Sequence, residues 1–215
     1  KLEDGFTEIG FYHGTAIASI IAAEGNNGRG LSGVTWRSRI LPVRVVDASG
    51  NGTEENVIKG IRYAVRNGAH VINMSFVGPE KRPDFLAAIE EAYDAGVVVV
   101  AAAGNENTNG RNGNDLNAEA AYPVCYDAQG KNLVLGAAAT DEDDRKADFS
   151  NYGTRCIDLS APGKNFIVAT PGVEALNVRA GYIANWSGTS LAAPLISGAA
   201  ALLKSKYRDL TVTQI

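Results

Sequence analysis

Three residues far apart in the chain have the types and settings that nucleophilic attack on a carbonyl requires. Ser190 follows Gly188-Thr189 and stands where a helix begins. A hydroxyl there lies beside unpaired backbone N–H groups and the positive end of the helix dipole, a setting that favours a nucleophile and a developing anion. The other reading of Ser190 is an N-cap, a position serine favours. His13 precedes Gly14-Thr15 and a run of small residues. Histidine is the commonest base that activates a serine, although a histidine in front of a helix is also an ordinary polar terminus. Asn105 ends the most apolar stretch of the chain. Sites collect at the carboxyl ends of parallel strands, and the asparagine N–H₂ there would donate to an oxyanion. Taken alone, Asn105 is equally a loop-starting residue. His70, the other histidine, opens an apolar run and reads as a core or edge histidine.

Other chemistries are disfavoured. Gly28, Gly30 and Gly33 match G-x-G-x-x-G, but the match follows a helix pattern and precedes a strand pattern, the reverse of a dinucleotide fingerprint. There is no lysine-bearing phosphate loop, and no G-x-S-x-G elbow surrounds Ser190. Two histidines and two scattered cysteines make a zinc site improbable. A formal net charge of −4 argues against nucleic acid as a partner, and no apolar run reaches membrane-spanning length.

The elements that must position these residues can be read from periodicity. Helices are expected over 14–23, 55–67 and 83–95, the last two stopped by Gly68 and Gly96. A further helix runs on from Ser190, small or apolar on every face and hence buried, with Pro194 expected in its first turn, where a missing N–H costs least. Strands are expected over 39–46, 70–75, 97–103, 133–139 and 156–160. The continuous apolar run 97–103 has the character of a central parallel strand. Alternating strands and helices imply an α/β fold in three layers, a mostly parallel β-sheet with helices on both faces.

His13-Gly14-Thr15, the 71–75 run Val-Ile-Asn-Met-Ser, Ala102-Ala103-Gly104-Asn105 and Gly188-Thr189-Ser190-Leu191-Ala192-Ala193-Pro194 resemble the successive motifs of the subtilisin-like serine peptidases. Asn151-Tyr152-Gly153 and Ser160-Ala161-Pro162-Gly163 resemble further recurring segments of that family. The resemblance implies a serine endopeptidase of subtilisin-like fold acting on protein or peptide substrates, with a propeptide as a further partner. It implies Ser190 as nucleophile, His13 as general base and then acid, and Asn105 with the Ser190 N–H as oxyanion hole, Thr189 adding a nearby hydroxyl. Substrate would lie as an extra strand between Gly50-Asn51-Gly52 and Ser75-Phe76-Val77-Gly78. Ala103-Gly104 would line the pocket for the side chain before the scissile bond. Val77 stands where the family commonly has glycine and is expected to narrow that pocket. Glu106 reads either as a partner for basic side chains or as a solvated carboxylate, and Leu191 replaces a common methionine.

The family's triad also needs an aspartate at the end of an apolar strand before the histidine. Only twelve residues precede His13, and Lys1-Leu2-Glu3-Asp4-Gly5 does not have that form, so Asp4 reads as a surface residue. Residues 1–215 are therefore expected to be one partial catalytic domain, shortened at both ends, with the triad aspartate outside it. The alternative is a non-catalytic homologue that binds or regulates. Cys125 and Cys156 flank the strand at 133–139; a bridge between them would staple that loop, as some secreted relatives do, whereas two buried free thiols are the other reading. The family's habitat implies a secreted protein. Its structural calcium has oxygen-rich candidates in Asn26, Asn27 and Asp141-Glu142-Asp143-Asp144, but the acidic run lacks EF-hand spacing and no metal site is assigned.

Overall fold

A computed structural model describes residues 12–47, 49–106, 113–128, 130–171 and 181–215. The expected helices form: α1 (His13–Ala22), α2 (Glu54–Arg66), α3 (Pro83–Asp94) and α4 (Thr189–Lys206). In α2, Thr53 caps the Asn56 N–H and Glu54 and Glu55 sit in the first turn, where acidic side chains suit the dipole. Pro83 opens α3 at a position that needs no donor.

Four strands, β1 (Val71–Met74), β2 (Val98–Ala102), β3 (Leu135–Thr140) and β4 (Leu159–Pro162), pair in parallel in that order. Alternation along β2 sets the layers. Val99 and Ala101 face a core shared with Ile58 and Ile61 of α2 and Phe85, Ile89 and Ala92 of α3. Val98, Val100 and Ala102 face Ala192, Ala193, Ile196 and Ala200 of α4. Burial on both faces explains why the run is continuously apolar. Together the three layers are the α/β arrangement that periodicity predicts.

The structure corrects four expectations. Residues 39–46 do not form a strand: Val46 makes one bridge, to Gly52, and the rest has no ladder partner among the described residues. A β-branched apolar run supplies propensity but not a partner; here Val45 packs against the core under α2 instead. Residues 166–186, unassigned from sequence, contain an antiparallel pair, β5 (Phe166–Thr170) and β6 (Gly181–Trp186). Its signal was present in alternation, with Val168 buried and Ile167 exposed. α4 is not buried throughout: Leu202 and Leu203 are exposed. Pro194 lies past the first turn, inside the helix.

Cys125 and Cys156 form a disulfide across 31 residues of sequence. Closing a loop of that length restricts the unfolded chain, a contribution of about 3–4 kcal/mol.

Candidate active site

Asn105 sits just beyond β2, and its neighbours hold that exit rigidly. Gly104 has φ +99°, a conformation side-chain-bearing residues rarely adopt. Its N–H donates to Thr189 Oγ1 at 3.1 Å, and its carbonyl accepts from the Asn151 N–H. The buried Asn151 side chain completes the clamp. Its Nδ2 donates to the Ala103 carbonyl and to the Glu106 carboxylate, and its Oδ1 accepts from the Asn114 N–H at 2.8 Å. The Asn151-Tyr152-Gly153 motif thus acquires a role that sequence did not reveal.

The Asn105 carboxamide is oriented from the other side. Its Oδ1 accepts from the Thr189 N–H at 2.7 Å and from Thr189 Oγ1 at 2.9 Å. Two donors on the oxygen leave Nδ2 as the outward donor, and Asn105 itself is exposed. The Thr189 hydroxyl, expected near the oxyanion, holds the Asn105 carboxamide.

Ser190 is the second residue of α4, and the N-cap is Gly188, with no side-chain cap bond. The cap reading of Ser190 therefore fails. The Gly188 turn is pinned from below: its N–H donates to the Gly163 carbonyl, and the Gly163 N–H donates to the Thr140 carbonyl at the end of β3. This is the work of the Ser160-Ala161-Pro162-Gly163 segment. A Cβ on Gly188 would lie 3.1 Å from Ser190 Oγ and 3.4 Å from Asn105 Nδ2. The hydroxyl and the amide donor therefore flank one point, which only glycine leaves open.

His13 is the first residue of α1. Ala16, Ile17 and Ile20 of α1 pack with Leu191 of α4 and Val168 of β5. The His13 ring meets Trp186 edge-on, at 5.9 Å between centroids, and Trp186 ends β6 just before the Ser190 turn. The histidine is thereby brought to the serine's end of α4. Burial pushes its pKa down from 6.5 to about 4, so the ring is neutral at pH 7, as a general base must be. The sign follows directly: the unfolded chain takes up the proton near 6.5 and the folded one only near 4, so stability falls as pH drops through that window. An NMR titration of residues 1–215 is expected to place the His13 midpoint near 4, and a midpoint at or above 6.5 would contradict this. A carboxylate placed against the ring would raise it.

The proposed substrate segments fare differently. Ser75, Phe76 and Val77 continue β1 and are half-buried. Gly78 exchanges both backbone bonds with Tyr122, which occupies its pairing groups. Gly50-Asn51-Gly52, with Asn51 and Gly52 exposed, are held by the Val46–Gly52 bridge and by the Asp47 N–H on the Asn51 carbonyl. Across Gly104, a Cβ would lie 2.7 Å from Glu106 Oε2 and 3.1 Å from Val77 Cγ2, so these side chains crowd the same wall.

A profile of the subtilase family matches residues 11–215. The chain belongs to the subtilase family. Subtilisin DY of Bacillus licheniformis is 35% identical over 203 residues, 94% of this chain and 67% of that protein. Thermitase of Thermoactinomyces vulgaris is 37% identical over 96% of this chain and 66% of its own length. A protein named intracellular serine protease, from Paenibacillus polymyxa, is 36% identical, covering 94% and 58%. In three dimensions the subtilase chain matches a protease from Pseudoalteromonas arctica PAMC 21717 with a TM-score of 0.78 at 31% identity, over 93% of this chain and 60% of that one. It thus spans about three fifths to two thirds of the length of these relatives.

The hollow lined by Glu24 and residues 26–32 has one carboxylate, the Asn26 and Asn27 carboxamides and Arg29 among its lining residues. In the acidic run, Asp141 Oδ1 accepts the Asp143 and Arg145 N–H groups, Glu142 meets Asn165, and Asp143 pairs with Arg145. No helix among the described residues is long and apolar enough to cross a membrane.

Proposed function

We propose that residues 1–215 are part of the catalytic domain of a serine endopeptidase that hydrolyses peptide bonds in proteins. Ser190 Oγ attacks the scissile carbonyl while His13 takes its proton, and His13 then protonates the leaving amine. Asn105 Nδ2 and the Ser190 N–H receive the oxyanion. The observation that carries this reading is the locked Asn105 carboxamide, whose Nδ2 flanks, with Ser190 Oγ, the point that Gly188 leaves open. The reading places the triad's aspartate outside residues 1–215, because the sequence of residues 1–12 has no apolar run ending in Asp-Thr-Gly or Asp-Ser-Gly. The disulfide supports a secreted protein, since such bonds persist in oxidising compartments. The full-length protein is expected to degrade casein and to lose that activity after fluorophosphonate treatment; absence of both would favour a non-catalytic homologue.

Substrate would pair with residues 75–77, Gly78 being committed to Tyr122. The wall formed by Val77, Glu106 and Gly104 supports a narrow pocket for the residue before the scissile bond. Val77→Gly is expected to raise kcat/KM for phenylalanine or tyrosine at that position by roughly tenfold, the scale of a few methyl groups in an apolar pocket. A peptide-library profile of the unmodified enzyme that already accepts large aromatics freely would contradict this.

A further inference from the structure

Pro194 has no N–H, so it cannot donate to the carbonyl four residues back in α4. That carbonyl belongs to Ser190, and the structure shows what replaces the missing bond. Ser75 Oγ donates to the Ser190 carbonyl at 3.0 Å. Asn73 Nδ2 donates to Ser75 Oγ at 2.9 Å, and the buried Ser197 Oγ donates to Asn73 Oδ1 at 2.9 Å. Ser197 lies one helical turn beyond Pro194, on the same helix as Ser190. The chain of bonds therefore leaves α4 at Ser197, crosses the end of β1, and returns to α4 at Ser190. Each hydroxyl has one donor proton, and both are used in the same direction. Ser75 cannot turn its proton elsewhere without taking this donor from the Ser190 carbonyl, and Asn73 cannot rotate without losing both neighbours.

We propose that Ser75 is a positioning residue for the Ser190 nucleophile, acting through the carbonyl that Pro194 leaves free, and that Asn73 and Ser197 hold its hydroxyl in place. Ser75 also opens the segment on which substrate is proposed to pair, so the relay ties the substrate strand to the nucleophile's backbone. The activity side of this inference rests on the peptidase reading; the hydrogen-bond relay itself does not.

The test is a double-mutant cycle in the full-length protein. Ser75→Ala is expected to lower kcat about tenfold to a hundredfold, with KM within about twofold, because a stranded carbonyl mislocates the serine without removing a substrate contact. Ser75→Thr, which keeps the hydroxyl, is expected to restore most of the rate. In a Pro194→Ala background the helix regains its own N–H donor, and Ser75→Ala is expected to cost less than about threefold. The same cycle is read by thermal unfolding, which needs no activity. There the Ser75→Ala penalty is expected to shrink by about 2–4 °C once Pro194 is replaced. Equal penalties in both backgrounds, by rate and by unfolding, would overturn the relay. A rise in KM with kcat unchanged would also overturn it, making Ser75 a substrate contact only. If the unmodified protein neither cleaves peptides nor reacts with a fluorophosphonate, the peptidase reading fails, while the unfolding cycle still decides the relay.

Discussion

Replacing Ser190 by alanine is expected to lower kcat of the full-length protein by about 10⁶-fold, the scale observed when a subtilisin loses its serine. The expectation follows from where the hydroxyl sits. Ser190 is not spent as a cap, since Gly188 holds that position, and its Oγ and Asn105 Nδ2 both lie within 3.4 Å of the point a Gly188 Cβ would occupy. His13→Ala is expected to cost about as much, and the double variant little more than either alone, because an unactivated serine and an absent one are nearly equivalent. Folding should survive the change: Ser190 is half-buried and its helix is held by Leu191, Ala192, Ala193 and Ile196. Additive losses, or a residual rate within about tenfold of the unmodified protein, would exclude Ser190 as nucleophile.

Asn105→Leu is expected to lower kcat by about 100- to 1000-fold with little change in KM, the loss known for the oxyanion-hole asparagine of a subtilisin. The donor matters only once negative charge has formed, so the transition state is weakened and the bound substrate is not. Here the argument is geometric. Thr189 presents both its N–H and its hydroxyl to Oδ1, so the amide needs no reorganisation when the oxyanion appears. The same substitution strands those two Thr189 donors, and its unfolding midpoint must be measured beside the rate. A rise in KM with kcat preserved would recast Asn105 as a substrate contact.

Residue type and local setting single out the candidate site residues one at a time, and only the resemblance to the subtilase motifs joins them. Asn105 follows the most apolar strand and Ser190 follows a glycine turn into a helix, both marks of local chain geometry. The layers were legible for the same reason, since apolar period distinguishes β2 from α2 and α3. What escaped depends on contacts between distant segments. Residues 39–46 have strand propensity but no ladder partner among the described residues, and propensity does not reveal a partner. β5 and β6 are short, and their pairing joins segments separated by a long connection. Ser197 carries no local mark, and Asn151 only that of a motif without an evident role. Their roles come from what stands opposite them, Ala103 and Glu106 in one case and Asn73 in the other. Pro194 was read as a helix-start residue, whereas its consequence is a carbonyl freed one turn earlier.

The most direct measurement is the site and stoichiometry of a fluorophosphonate adduct on the full-length protein, read by intact mass and peptide mapping. A nucleophilic Ser190 predicts one adduct per chain, located on Ser190 and absent from Ser190→Ala. No adduct on folded protein, or an adduct that persists in Ser190→Ala, would contradict it.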